Sequence, residues 1–180
     1  MRSTEDQQLA RQAQGGDQQA LAMLVERNRE AVFGMTLRIL GNREDALDAC
    51  QEALLRLIRY LRSYRPESPF APWIRSVAVR AALDQAKKSK RHWAQERDPD
   101  TLASRGPDPH HETLRAEQRQ LVQAALDTLT AAQRAAFVCK ELEGMDTRDI
   151  AKSMACRQAT VRWHLFEARR RLADSLGEKS

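Results

Sequence analysis

Apolar residues return at helical spacing in two groups along the chain. Residues 6 to 14 read as a short helix that stops at Gly15-Gly16. Asp17 then caps a long helix whose apolar stripe is Leu21, Leu24, Val25, Val32, Met35, Leu37, Ile39 and Leu40, and Gly41 ends it. Asn42 caps a third helix through Leu47, Leu54, Leu55, Leu57, Ile58 and Leu61. Tyr64 to Pro69 is a loop. Ser68 suits an N-cap with Pro69 at the first helical position, and a fourth helix follows with Phe70, Trp73, Ile74, Val77, Ala78, Ala81 and Leu83 before a basic end at Lys87 to Arg91. A second group of helices is predicted near 112–127, 131–141, 147–154 and 158–175. The fold class is all-α: two small helical domains joined by a flexible linker, the second containing a helix-turn-helix.

The helix-turn-helix lies between Gly144 and Leu172. Asp146 caps its first helix, with Asp149 three positions later where a capping box places its second member, and Ile150, Ala151 and Met154 face inward. The second helix holds Val161, Leu165, Ala168 and Leu172 on one side and Arg162, Trp163, Phe166 and Arg170 on the other. A short packed helix followed by one with a basic, aromatic outer face fits the major groove of DNA. Two ordinary amphipathic helices of a bundle would show the same inner stripe; the arginine and aromatic face favours DNA.

Charge sharpens the domain reading. The 180 residues carry a net charge of +5. Residues 1–92 hold 16 basic against 11 acidic residues, 93–118 hold 3 against 6, and 119–180 hold 11 against 8. Two basic lobes on an acidic tether suit a polyanionic partner. The tether contains Pro99, Gly106, Pro107 and Pro109, which read as a flexible linker. Cys50, Cys139 and Cys156 are far apart, as in reduced thiols of a cytosolic protein. No apolar run is long enough for a signal segment or membrane span, so a cytoplasmic location is expected. There is no phosphate loop, metal-ligand spacing or nucleophile–base pair, so no catalytic residue, metal or cofactor is expected and the chain does not read as an enzyme.

Several segments, in order, resemble the extracytoplasmic-function (ECF) class of sigma factors, the small two-domain members of the sigma-70 family. Gly16-Asp17 with Leu24-Val25, and then Ile39 to Glu52 (ILGNREDALDACQE), are similar to that family's opening and to its most specific motif. Pro69-Phe70-Ala71-Pro72-Trp73-Ile74 resembles its p-F-x-x-W-L. Leu126 to Arg134, Glu141 to Met145, Asp149-Ile150-Ala151, Thr160-Val161-Arg162 and Ala168-Arg169 resemble segments of its second domain.

The resemblance implies a sigma region 2 domain at 1–92, an acidic linker at 93–118 and a sigma region 4 domain at 119–180. It implies that Asp45, Asp48, Gln51, Glu52 and Leu55 bind core RNA polymerase, acidic and amide groups meeting basic ones around an apolar anchor. It places Arg62, Tyr64, Arg65, Phe70, Arg75, Arg80, Lys87 and Lys88 at the promoter −10 element, the rings at an unpaired base and the cations along the strand. It places Arg157, Gln158, Thr160, Arg162, Trp163, Phe166, Arg169 and Arg170 at the −35 element, where Arg suits guanine edges and Gln adenine. Trp73 is expected to pack the first lobe. Four features depart from the family pattern: Arg80 replaces a usual Asn, Arg157 a common Ser cap, Trp163-His164 a small residue–Arg pair, and Glu167 an often basic position.

The expected function is therefore that of an alternative sigma factor, bringing core polymerase to promoter DNA and held silent by an anti-sigma factor, in some relatives a membrane-bound one. The chain itself is expected to be a monomer when free. A stand-alone helix-turn-helix regulator is the alternative, but it would leave the acidic motif of the third helix idle, and no dimerisation seam is visible.

Overall fold

The computed structural model describes residues 2–95 and 123–177. Every regular element among them is helical. In chain order these are α1 (Arg2–Gln14), α2 (Gln18–Leu40), α3 (Arg43–Tyr60), a 3-10 turn (Leu61–Ser63), α4 (Phe70–Gln95), α5 (Ala131–Phe137), a π-helical turn (Val138–Leu142), α6 (Thr147–Ser153) and α7 (Gln158–Gly177). Residues 123–127 are also helical. Most of the expected linker, and helix before residue 123, lie outside the described residues.

The expected caps form. Asp17 accepts from the amides of Gln19 and Ala20, and Gly41 closes α2 in the left-handed region at φ 79°. Asn42 accepts from the amide of Asp45 and starts α3. In the second lobe Thr130 and Gln133 make a reciprocal capping box at the start of α5.

Three boundaries differ from expectation. Helix α1 begins at Arg2 rather than residue 6. Helix α4 starts at Phe70, so Ser68 and Pro69 both precede it, and it runs on to Gln95, past the basic run and into the stretch expected to be linker. The helix expected over 131–141 is α-helical only to Phe137. It then widens into the π turn, which amide bonds from Glu143 to the Val138 carbonyl (3.1 Å) and from Met145 to the Cys139 carbonyl (2.9 Å) close.

Helices α2, α3 and α4 pack together around Leu24, Val32, Met35, Ile39, Leu57, Phe70, Ile74 and Val79, all buried. Leu47, Leu55 and Ile58 do not join them. The inner face of α3 is instead Ala46, Ala49, Cys50, Ala53 and Leu57, while those three bulkier residues stand 46–49% exposed. Small residues let α3 approach its neighbours closely and leave an apolar row facing out. Where α3 meets α4, Tyr64, Phe70 and Trp73 form an aromatic cluster with ring centroids 5.3–5.4 Å apart. Trp73 thus packs the lobe as expected.

The second lobe closes over Ala135, Ala136, Val138, Cys139, Met145, Ile150, Val161, Leu165 and Ala168. The two lobes touch. Arg134, 4% exposed, reaches from α5 to donate a 2.7 Å bond to the Arg38 carbonyl at the end of α2. Glu143 accepts from Arg38 at 2.6 Å and pairs with Arg75 at 3.3 Å. The hydroxyls of Ser76 and Ser153 lie 2.7 Å apart.

Candidate functional site

Three surfaces carry the residues singled out by sequence. The first is the outer face of α3. Asp48, Gln51 and Leu55 are exposed along it, and Glu52 is half-buried, bonded at 2.7 Å to Arg56. Arg56 also pairs with Asp84 of α4 at 2.9 Å, and its guanidinium is held fully charged by those two carboxylates despite partial burial. The exposed Leu47 and Ile58 belong to the same face and extend its apolar row. An acidic, apolar helix face that nothing covers among the described residues fits a protein partner better than a polyanion. Asp45 departs from this group. Its carboxylate accepts from the Asn42 amide group (2.8 Å), Gln85 (3.0 Å) and the Ser89 hydroxyl (2.7 Å). It ties α3 to α4, because it borders the buried Ala46 and Ala49 stripe and its carboxylate is drawn to the polar groups of Gln85 and Ser89.

The second surface is the loop between α3 and α4 with the exposed side of α4. Arg62 and Arg65 are exposed on the loop, and Lys87 and Lys88 are exposed near the far end of α4. Tyr64 and Phe70 do not join them. They are 3% and 0% exposed, with the Tyr64 hydroxyl donating to the Ser68 carbonyl, so neither ring offers a face to a base in this conformation. Aromatic rings beside arginines read as a stacking platform in sequence; here the same rings are the floor on which the loop rests. Arg75 and Arg80 are on α4 but engaged elsewhere. Arg75 pairs with Glu143, and Arg80 donates to the backbone carbonyls of Lys152 (2.9 Å) and Ser153 (3.4 Å), both in α6. The Arg80 that replaces the family's usual Asn is therefore spent, in this arrangement, on the opposite lobe.

The third surface is α7. The Asp146 side chain accepts from the Asp149 amide at 2.7 Å and starts α6. Residues 154–157 make the turn, with Ala155 at φ 51°. Arg157, Gln158 and Thr160 are exposed at the amino-terminal end of α7, followed on the same outer side by Arg162, Trp163 (55% exposed) and Phe166 (64% exposed). Arg169 is held at 2.6 Å by Glu141, and Arg170 at 2.8 Å by Glu167. Bonding to Arg170 holds the Glu167 carboxyl below its ordinary range. The negative charge at this departure from the family is thus partly offset from within the helix. His164 turns inward against Trp163, and burial lowers its pKa and favours the neutral ring. Among the described residues no carboxylate lies within ion-pair reach of Arg157 or Arg162, which leaves these two less committed than Arg169 and Arg170.

Sequence reasoning missed the seam between the lobes. Arg38, Ser76, Arg134, Glu143 and Ser153 meet there across up to 105 positions of sequence, and only the Thr130-x-x-Gln133 cap that aims α5 has a local signature. Gln7, Arg11 and Gln14 of α1, which bond to the α3–α4 loop, carry no pattern that marks them either.

Comparison with known proteins accounts for the pairing of these surfaces. Residues 24–92 match the family Sigma-70 region 2, and residues 119–172 match Sigma-70, region 4. The chain is 30% identical to the ECF RNA polymerase sigma-E factor of Haemophilus influenzae over 95% of both chains. It is 31% identical to the ECF RNA polymerase sigma-E factor of Escherichia coli K12, over 91% of this chain and 90% of that one. It is 28% identical to the RNA polymerase sigma-H factor of Pseudomonas aeruginosa, over 96% and 94%. Its fold is similar to the sigma factor RpoE solved with the anti-sigma factor NepR from Bartonella quintana (TM-score 0.66, 22% identity, 86% of this chain and 93% of that one). It is similar also to CnrH solved with the cytosolic domain of CnrY (TM-score 0.64, 23% identity, 98% and 99%). Two matched domains in the right order, together with relatives spanning nearly the whole chain, place this protein in the sigma-70 family, among the ECF RNA polymerase sigma factors.

Proposed function

We propose that the outer face of α3 docks on core RNA polymerase, that the α3–α4 loop and α4 engage the −10 element, and that α7 enters the major groove at the −35 element. The observation that carries this reading is the separation of chemistry. The acidic, amide and apolar residues Asp48, Gln51, Glu52, Leu55, Leu47 and Ile58 share one helix face, with exposed Arg59 at its far end, while Arg62, Arg65, Lys88, Arg157 and Arg162, which have no ion pair among the described residues, lie on other elements. A single DNA-binding surface would not need the first group.

Asp45 supports the dock by fixing α3 against α4, and Tyr64 and Phe70 support the loop from beneath. Duplex opening costs stacking energy, which capture of an unpaired base and contacts to the strand's phosphates offset. On α7, Arg157, Gln158, Thr160 and Arg162 are the base-reading candidates, Trp163 and Phe166 add apolar contacts, and Arg169 and Arg170 hold phosphates. The chain adds promoter choice to a polymerase that supplies the catalysis, which sets its place of action in the cytoplasm. Among the described residues no helix is long and apolar enough to cross a membrane. Two solved neighbours carry anti-sigma partners, and control of this chain by a protein of that kind belongs to the same reading.

Run-off transcription from a genomic fragment library with purified core polymerase tests it. New transcripts beginning just downstream of a shared two-part motif are expected only when the chain is added. Binding of the free chain to duplex DNA without initiation would point to a stand-alone regulator instead.

A further inference from the structure

Helix α1 is polar on most of its surface, yet it is fixed at both flanks. On one flank Glu5 and Asp6 bind Arg27 of α2 at 2.6 and 3.0 Å. On the other, Gln7, Arg11 and Gln14 stand at steps of four and three, one side of a helix. All three donate to backbone carbonyls of the segment after α3. Gln14 reaches the carbonyls of Leu61 and Tyr64, both at 2.8 Å. Gln7 reaches that of Ser68 at 2.9 Å, and Arg11 that of Pro66 at 3.3 Å. Within the loop the backbone itself closes two bonds, Tyr64 to Leu61 and Ser68 to Arg65. Four carbonyls of an eight-residue stretch are thus held from α1, at points spread along the whole loop.

We infer that α1 is a splint for the promoter-opening loop, with Gln7, Arg11 and Gln14 as positioning residues that hold the loop's backbone in its strand-receiving shape. The inference rests on the assignment of that loop to the −10 element. The bonds of these side chains run to the loop's backbone, and Gln7 also meets the buried Tyr64 side chain that supports the loop from beneath. Their donors face carbonyls that turn toward α1, which leaves Arg62 and Arg65 on the outer side. A loop already ordered loses less freedom when it captures a strand, so the capture retains more free energy to offset unpairing. The contribution matters where the duplex has to be opened and matters little where it is already open.

The test compares initiation by core polymerase and the full chain on one promoter in two forms, fully paired and premelted by mismatches across the −10 element. The variant Gln7→Glu with Arg11→Ala and Gln14→Glu replaces the amide donors by groups of the same shape that cannot donate. Expected is a fall of about tenfold or more on the paired template, in line with the loss of several hydrogen bonds from a positioned loop. On the premelted template the fall is expected to be no more than about twofold, with core binding retained. The single variant Arg11→Lys, which keeps a donor, should stay near the parent on both. Equal losses on the two templates would show that α1 serves only the lobe's general stability and would overturn the inference. No loss on either would overturn it as well. Failure of the unaltered chain to initiate at any promoter would instead remove the sigma-factor reading on which the inference stands.

Discussion

The guanidinium of Arg80 donates a 2.9 Å hydrogen bond to the backbone carbonyl of Lys152, so a side chain expected on promoter DNA is tied to the closing turn of the first helix of the helix-turn-helix. Nearby, Glu143 spans Arg38 and Arg75. This seam is polar and charge-rich, and its ion pairs are partly exposed, which makes each of them worth only about 0.2–1 kcal/mol and sensitive to salt. Replacing both Arg80 and Glu143 by Ala should separate the lobes without unfolding either. Energy transfer between dyes on exposed positions such as Gln19 and Ala173 would fall, and rising salt should produce the same fall in the parent chain. Unchanged transfer in the double variant would mean that Arg134 and the serine pair suffice to hold the lobes.

The dock on α3 separates into contact and support. Asp48→Arg with Glu52→Arg reverses charge on the outer face while leaving Arg56 its bond to Asp84, so the fold should persist and affinity for core polymerase should fall by about tenfold or more. Asp45→Ala should act differently. It strands the donors of Asn42, Gln85 and Ser89 and should cost about 1–3 kcal/mol of stability. Denaturant melting and co-purification with core polymerase would tell the two apart.

Arg162→Ala should leave core binding and stability near the parent, because this exposed side chain has no ion pair among the described residues. A lost bidentate contact to a base would lower affinity for the −35 element by about 1–3 kcal/mol and relax preference at that base pair. A uniform loss across sequences, with a shallower salt dependence, would reassign Arg162 to a phosphate. Either pattern is readable from binding curves on a panel of altered −35 sites.

Burial pushes the Cys139 thiol from 9.0 up to about 12, with Glu143 adding to the rise and Arg75 opposing it. The folded state therefore holds this proton more tightly than the unfolded chain. The stability linked to it is complete below pH 9.0 and is lost as pH climbs toward about 12. A Cys139→Ala variant lacks that loss. The gap in stability between parent and variant should narrow over this range in melts taken at stepped pH, and a constant gap would show the thiol to be insulated from titration.

What could be read from the sequence was what local rules govern. Asp17, Asn42 and Asp146 announce helix starts through their own side chains, Gly41 announces an end, and Val161, Leu165 and Ala168 mark a buried stripe by spacing alone. Helix α3 shows where spacing fails. It is apolar on two faces, and hydrophobicity ranks Leu55 and Ile58 above Ala49 and Ala53, although packing chose the alanines for the inside. The sequence places Tyr64 and Phe70 at an unpaired base, and what buries them is packing with Trp73 and the bond to the Ser68 carbonyl, contacts fixed only once the loop is folded. The bonds of Arg80 and Arg134 to main-chain carbonyls left no mark in sequence, because a carbonyl accepts alike from every residue type.

Gly41 carries a consequence for the order in which the molecule assembles. A Cβ added there would lie 2.7 Å from the Arg134 guanidinium. The left-handed turn that ends α2 and the slot that admits Arg134 are therefore one structure, and it is complete once the first four helices have folded. On a ribosome those helices emerge and can close before residue 134 is made. The second lobe then meets a finished socket, and a side chain at position 41 would act twice, straining the left-handed turn that ends α2 and later crowding the arriving Arg134 guanidinium.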